Sequence, residues 1–592
     1  MKKERKIQTK SRKERLIMEE GKQVAMYDVR GIQNYIFRTT KVKDAMGASQ
    51  SVEDLLSDAM REAVRVYNQK RIEAGQKGEI LPEKCLEWKK DGRANPFDEN
   101  WRYMQVLFIG GGNAYVLYES KSIYQEINRT MSVYILSRTY SLQLAAACVP
   151  MGVHYSEDYR KLNEEMARVK ADQILSKPFG ALPIMKTELD TGYPMDVPEK
   201  KGDAVLASGS METQLKQKKK RESGEDEDEK IFDNLVQEKG IDSTLAVVHL
   251  DGNNMGLRIR TYIEGVEDYK TAVERMREIS IQISESYRQT FDNMKKMFDE
   301  KAYRLKQFQG REKRAFIRKI VVAGDDITYV CNGWIALATV EYFVREIEMR
   351  SMIVERPEDG GGGSDKEAFY RFSVCAGIAY MGSHFPFYAA YETAEACCDM
   401  AKKRAKAEEN LARLTVNGQE ETQVGSFVDF QICKNIFSRN LKRIRQKEYI
   451  TWKGEHLLKR PYFVETKDNR ERFPNAGCKY SFQEMKDAVR YFQQEVSEEN
   501  AGMKEGIPRR FAKEIRNEYP NGRHQTEALS VFLQSRGWKL PDGTTELFDG
   551  TTAKWYDALE MMDLYVDLDH DILEAEKIEA EGTETKAVCA AE

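Results

Sequence analysis

Three aspartates in this chain could do chemistry together. Asp251 follows the apolar run STLAVVHL, and Asp325 and Asp326 sit at the turn of IRKIVVAGDDITYVCN. Adjacent strands of one sheet can bring such positions side by side. Three carboxylates at one place repel one another unless a divalent cation neutralises them. Mg²⁺ or Mn²⁺ suits that role, because such ions take a few carboxylate oxygens plus a substrate phosphate, which points to a nucleotide. Gly252, Gly256 and Gly324 lack Cβ atoms, so backbone can approach phosphate oxygens there. Each piece alone has a plain reading: GDD is a common hairpin turn and DGNN a common loop. The order of both, each on an apolar strand, is what carries information. Further along, Ala390, Ala394, Cys397, Cys398, Ala401 and Ala405 form a stripe of small residues on a helix. Lys402 directly follows Ala401 of that stripe and can reach a phosphate from the edge of the packed face, whereas Lys406 reads as a solvated surface charge.

The elements that must position these residues occur twice. In the first half, VAMYDV is a strand carrying Asp28, and GIQNYIF leads into an amphipathic helix around Ala48–Tyr67. MQVLFIGGGNAYVLY is a hairpin with glycines 110–112 at its tip, and a helix near Ser120–Ser141 and the strand LAAACVPMGVHY close the unit. The second half repeats the order: STLAVVHL into Asp251, a long helix over Glu264–Lys301, the GDD hairpin, a helix from Trp334, the strand FSVCAGIAYM and the helix YAAYETAEACCDMAKKRAK. This is the pattern of a duplicated βααββαβ unit. The first copy has GGGN where the second has AGDD, so only the second can hold acidic chemistry at its tip.

The expected division is a basic tail (1–22), a first domain (23–198), a charged linker (199–231), a second domain (232–425) and a mainly helical C-terminal domain with an acidic tail (426–592). The linker contains KQKKKRESGEDEDEK, which has almost nothing to bury. The chain has 592 residues, about three to five domains' worth. Hydrophobic residues make up 41% and charged residues 32%, which excludes a fibrous or wholly disordered chain. The net charge of -4 gives no bulk affinity for nucleic acid, so any such contact must be local. Nine cysteines without a CxxC pair argue against a zinc ribbon or a disulfide framework. The N-terminus has no apolar core and no apolar run approaches 18 residues, so neither a signal peptide nor a membrane span is expected, and the expected location is the cytoplasm.

Five short motifs recur in the order found in one family. DVRGIQNYIF with KDAMGAS, DGNNMG, AGDD, and GIAYMGSHFPFYAAYETAEACCDMAK resemble the signatures of the large palm-domain subunit (Cas-ten) of type III CRISPR effector complexes, which is related to GGDEF cyclases. The resemblance covers roughly Val24–Leu414 and, more loosely, the C-terminal helices. It implies an α+β protein with two ferredoxin-like palm domains, the first degenerate and the second catalytic. It implies an enzyme that joins ATP into cyclic oligoadenylate, an antiviral second messenger. Asp325 and Asp326 would be catalytic, and Asp251, Asp325 and Asp326 would hold the metal. Gly252, Asn253, Asn254, Gly256, Gly324 and Lys402 would bind the nucleotide, with guide or target RNA and other CRISPR-type subunits as partners. Departures from the pattern are Asn253 in place of an aspartate and Ala323 in place of a glycine. No cysteine occurs in ALPIMKTELDTGYPM, where the family has zinc ligands, and the N-terminal HD nuclease domain has no counterpart. The lone His570-Asp571 dipeptide lacks the other ligands of such a nuclease. The alternative is a palm scaffold that binds nucleotide within a ribonucleoprotein without turning it over. A diguanylate cyclase is disfavoured by the duplication and by Asp326-Ile327 where that family has Glu-Phe.

Overall fold

The computed structural model describes residues 21–37, 42–76, 80–139, 141–173, 243–263, 266–302, 316–356, 365–416, 419–434, 440–494, 506–543 and 546–573, with isolated positions between them. The basic tail up to residue 20, the KQKKKRESGEDEDEK block and the acidic end beyond residue 573 lie outside the described residues. The chain divides into two compact units, Met1–Glu229 with Asn254–Glu285 and Lys230–Asn253 with Ser286–Glu592.

In the first unit, β1 (Gln23–Arg30) lies between β3 (Asn113–Tyr118) and β4 (Gln143–Pro150), with β2 (Met104–Gly110) outside β3; every pairing is antiparallel. Side chains of β1 alternate between two faces. Val24 and Met26 join a core with Leu107, Tyr115, Tyr155 and Leu162. Tyr27 faces the other way, where its hydroxyl meets that of Tyr118 at 2.8 Å and its ring lies 6.3 Å from that of Tyr124. A short helix, Ile32–Phe37, precedes the longer α1 (Val42–Glu73), α2 (Lys121–Thr139) and α3 (Tyr155–Asp172). The last departs from expectation, because the sequence reading closes the unit on a strand running to Tyr155. The strand stops at Pro150. Tyr155, Asp158, Leu162 and Met166, spaced three and four apart, are buried on one face of the following helix.

The second unit is built on β5 (Thr244–Gly252). The helices α4 (Met255–Ile263) and the first half of α5 (Tyr269–Lys301) belong to the first unit. Then come β6 (Ile317–Ala323), β7 (Asp326–Asn332), α6 (Ala336–Glu348), β8 (Val374–Gly382) and α7 (Phe387–Ala405). β9 (Phe427–Ile432) and β10 (Tyr462–Phe463) extend the sheet, whose order is β6-β7-β5-β8-β9-β10 with only β8 and β9 parallel. The chain is thus a mixed α/β protein with several sheets. In both main sheets the first four strands run in the order second, third, first, fourth.

Helix α7 lies directly on β8. A Cβ at Gly377 would fall 1.9 Å from the carbonyl oxygen of Ala394 and 2.3 Å from the nitrogen of Cys398. The small-residue stripe is therefore the condition for this approach: Cys397, Cys398, Ala401 and Ala405 are all buried under it. After β9 the chain is mainly helical, with α8 (Leu441–Glu448), α9 (Pro474–Lys479), α10 (Phe482–Gln493), α11 (Arg509–Glu518), α12 (Arg523–Ser535) and α13 (Tyr556–Met561). Charge is buried where these helices meet the sheet. Arg460, wholly buried, donates to Asp557 (3.1 Å) and Glu560 (2.7 Å), while Arg445 binds Asp429 with two bonds of 2.8 Å. Tyr462 and the backbone nitrogens of Lys459 and Arg460 complete the shell of Asp557. Among the described residues, no helix is long and apolar enough to cross a membrane.

Candidate active site

Sheet register brings the acids together. Asp251 at the end of β5 pairs with Asp326, the first residue of β7, and Ala323 pairs with Asp326 across the tip. Gly324 and Asp325 are the two loop residues. Gly324 has φ 66° while Asp325 is not among the residues of positive φ, the pattern of a tight hairpin turn with glycine in its first central position. That geometry lets a side chain occupy the second position. The equivalent tip of the first unit uses two glycines of positive φ, Gly111 (59°) and Gly112 (79°).

The amide of Gly252 donates to the carbonyl of Asp325 at 3.2 Å. A Cβ at Gly252 would lie 2.8 Å from Asp325 Cβ and 2.7 Å from Tyr287 Oη, so only glycine permits the tip to close on β5 here. Asp325 is pushed up to about 6 by burial and then by the charge of Asp251. Asp326 is pushed up to about 7 by burial, then by Asp251, Asp325 and Glu395, although 40% of its side chain remains open. Its Oδ1 is buried and has no hydrogen-bond partner among the described residues.

Three side chains near the acids, His249, Tyr391 and Glu395, are not marked as functional by the sequence. His249 pairs with Thr328, one rung below Asp251 and Asp326 on the same face. Its Nδ1 lies 3.0 Å from Thr328 Oγ1 and 3.5 Å from Asp326 Oδ1, and burial holds the imidazole down at about 4. Helix α7 sends Tyr391 edge-on to the His249 ring at 5.8 Å, and the charge of Glu395 is felt at Asp326. Positions 391, 395 and 402 recur at helical spacing. The small-residue stripe masked this signal, because it marks the neighbouring face of the same helix.

Lys402 reaches the acids from that helix, and its Nζ bonds Asp251 Oδ2. Burial works against its charge and Asp251 outweighs burial, so the ammonium is held above the ordinary lysine value. Lys403 is exposed. The other expected residues are placed differently. Asn253 is fully buried, and its amide donates to Ser373 Oγ (3.1 Å) and the Gly425 carbonyl (3.2 Å), tying three segments together. Asn254 (φ 58°) and Gly256 fall in the first unit, at the start of α4. Among the described residues no group of three or more His, Cys, Asp or Glu side chains stands at metal-ligand spacing. The donor set nevertheless fits a hard cation: oxygens only, an unpartnered buried carboxylate oxygen, and two acids whose ionisation the site disfavours.

The first unit repeats part of this arrangement. Asp28 pairs with Asn113, the Val29 amide donates to the Gly112 carbonyl at 3.1 Å, and Lys170 on α3 bonds Asp28 at 2.6 Å. Glycine and asparagine thus stand where the second unit has Asp325 and Asp326.

No protein-family model matches the chain, and no curated protein matches it. Solved structures do. The chain is similar to a Csm1–Csm4 subcomplex of the type III-A CRISPR-Csm interference complex, at 13% identity and TM-score 0.48, covering 92% of this chain and 70% of that one. A Csm1–Csm4 cassette in complex with cA4 matches at 11% identity and TM-score 0.45 over 92% of this chain and 70% of that one. The same kind of cassette in complex with AMPPNP matches at 14% identity and TM-score 0.38; there the chain covers 68% of itself and 55% of the neighbour. At these values the functional reading rests on the site.

Proposed function

We propose that this chain is a cytoplasmic, metal-dependent nucleotidyltransferase that joins ATP into a cyclic oligoadenylate-type messenger in antiviral defence. The reading takes the two sheets of like strand order as palm domains, the second active and the first degenerate. It also takes other CRISPR-type subunits and guide or target RNA as partners. One observation carries it: Asp251, Asp325 and Asp326 meet at one end of a sheet, where Lys402 bonds Asp251 alone and burial together with Asp251 disfavours the charge on the other two.

Asp251, Asp325 and Asp326 would hold Mg²⁺ or Mn²⁺, which when bound neutralises the acids and polarises the attacking 3′-hydroxyl and the leaving pyrophosphate. Gly324, with open space where a Cβ would stand, leaves backbone accessible to phosphate oxygens, whereas Gly252 is closed off by Asp325 and Tyr287 and serves the turn. Lys402 balances Asp251 in the absence of nucleotide and supplies a positive charge to the triphosphate in its presence. His249 stays neutral beneath the acids and limits the rotation of Asp326.

Purified protein with ATP and Mg²⁺ or Mn²⁺, with and without activating RNA, should release pyrophosphate and give a cyclic or linear oligonucleotide on chromatography. If nothing is turned over with either metal under either condition, the chain is a nucleotide-binding scaffold. The ion pair that already neutralises Asp251 is the feature that would favour that second reading.

A further inference from the structure

We propose that the second unit carries another ligand site, a cavity of about 870 Å³ bounded by the end of α7, α9, α10 and the hairpin Phe548–Ala553, and that it takes a nucleoside phosphate. The volume falls in the range of small-molecule pockets, roughly 300–1,000 Å³. Its charge balance is decided by which groups are already paired. On the acidic side, Glu484 pairs with Lys459 at 3.3 Å and Asp487 pairs with Arg490, which leaves Asp549 as the carboxylate on the wall with no side-chain partner among the described residues. On the basic side, Lys479 and Lys554 both line the cavity and have no ion pair among the described residues. Arg404 adds a third positive charge, and burial lowers its tendency to hold it. The surplus favours an anion.

The shape of the basic groups favours phosphate over carboxylate. A carboxylate is best held by the planar fork of an arginine, but Arg404 Nη1 is committed to the carbonyls of Lys459 (2.6 Å) and Pro461 (3.2 Å). Two unpaired ammonium groups are what remains, and these act as point charges suited to phosphate. The wall also offers flat surfaces. Tyr480 is covered on one face by the Arg404 guanidinium at 4.1 Å, and Trp555 and Tyr491 lie on the same cavity. Trp555 Nε1 is buried with no hydrogen-bond partner among the described residues, so the indole contributes its ring rather than a satisfied polar edge. Arg404 stands two residues beyond Lys402, about 200° around α7, so the cavity is separate from the carboxylates and the inference does not depend on the function proposed for them.

The test is equilibrium dialysis of ADP against the full chain in EDTA, where the carboxylates have no ion to recruit phosphate. Saturable binding at one site is expected. Lys479→Glu with Lys554→Glu should weaken it tenfold or more, and Trp555→Phe about threefold. No saturation at millimolar ADP, or binding unchanged in the lysine double variant, would overturn the assignment. So would adenosine or inorganic pyrophosphate binding as tightly as ADP, since one half of the ligand would then be irrelevant. Loss of binding in Asp325→Asn with Asp326→Asn, with the lysine variant unaffected, would move ADP to the carboxylates and equally overturn it. A measurement without substitutions is available because Cys478 lies exposed on the wall. ADP should slow its alkylation by a bulky maleimide, read on the Cys478 peptide by mass spectrometry, and an unchanged rate would count against the site.

Discussion

At the scale of single residues, Asp325 and Asp326 make stability depend on pH in a defined direction. Their folded-state values, about 6 and about 7, lie above the aspartate value of about 3.9 in an unfolded chain. Between roughly pH 4 and 7 the folded chain therefore holds more protons than the unfolded one, and stability falls as pH rises through that window. In EDTA the melting temperature should drop between pH 5 and pH 8. The drop should be smaller in Asp325→Asn with Asp326→Asn, and Mg²⁺ should restore the wild type alone. A variant with the same slope as the wild type would mean that the two acids do not interact with their surroundings as described. The same double variant should lose pyrophosphate release at least a thousandfold while its circular dichroism stays native. Lys402 has a nearby control. Lys402→Ala should raise the KM for nucleotide about tenfold, Lys402→Arg should keep partial activity, and the exposed Lys403 should tolerate alanine. Equal effects at 402 and 403 would reduce the lysine to general electrostatics.

At the scale of elements, what could be read from sequence was whatever local pattern encodes. The strands bearing Asp28 and Asp251, both glycine-tipped hairpins and the small-residue face of α7 all announce themselves by short apolar runs, turn glycines or helical spacing. What could not be read depends on partners far along the chain. Lys170 looks like any helical lysine until the sheet places Asp28, 142 residues away, beside it. Arg460 likewise follows no motif, yet it is the hub of buried charge between Asp557 and Glu560. Asn253 reads as a ligand because it sits inside a motif, whereas its amide ties Ser373 to Gly425. Two predictions belong here. Gly377→Ala should lower stability by about 3 kcal/mol, the upper end for overpacking, because Ala394 and Cys398 offer only backbone to the new methyl and cannot step aside. Arg460→Met should cost about 3–5 kcal/mol, since it strands buried carboxylates without their cation. Chemical denaturation of each variant measures both.

At the scale of the whole molecule, the duplication is unequal. Both halves keep the aspartate on the first strand, the lysine on the last helix and the amide bond from strand to tip. Only the second puts acids on the tip, and there the turn has glycine in its first central position rather than in both. Substitution of Asn113 by alanine should therefore spare pyrophosphate release, measured beside Asp326→Ala, which should abolish it. Loss of turnover in both would make the first tip a participant in the chemistry.

The order in which the strands of the second sheet occur in the chain sets a timetable. β5 emerges from the ribosome first, β7 next, and α7 with Lys402 only after β8. At about 5–20 residues per second, the lysine follows Asp326 by an interval on the order of several seconds. During that interval a nascent chain holding Asp251 against Asp326 has no ammonium of its own to quiet them, and the free Mg²⁺ of the surrounding medium is the available counter-charge. Early docking of β7 on β5 should then be faster when magnesium is plentiful, before any nucleotide is involved.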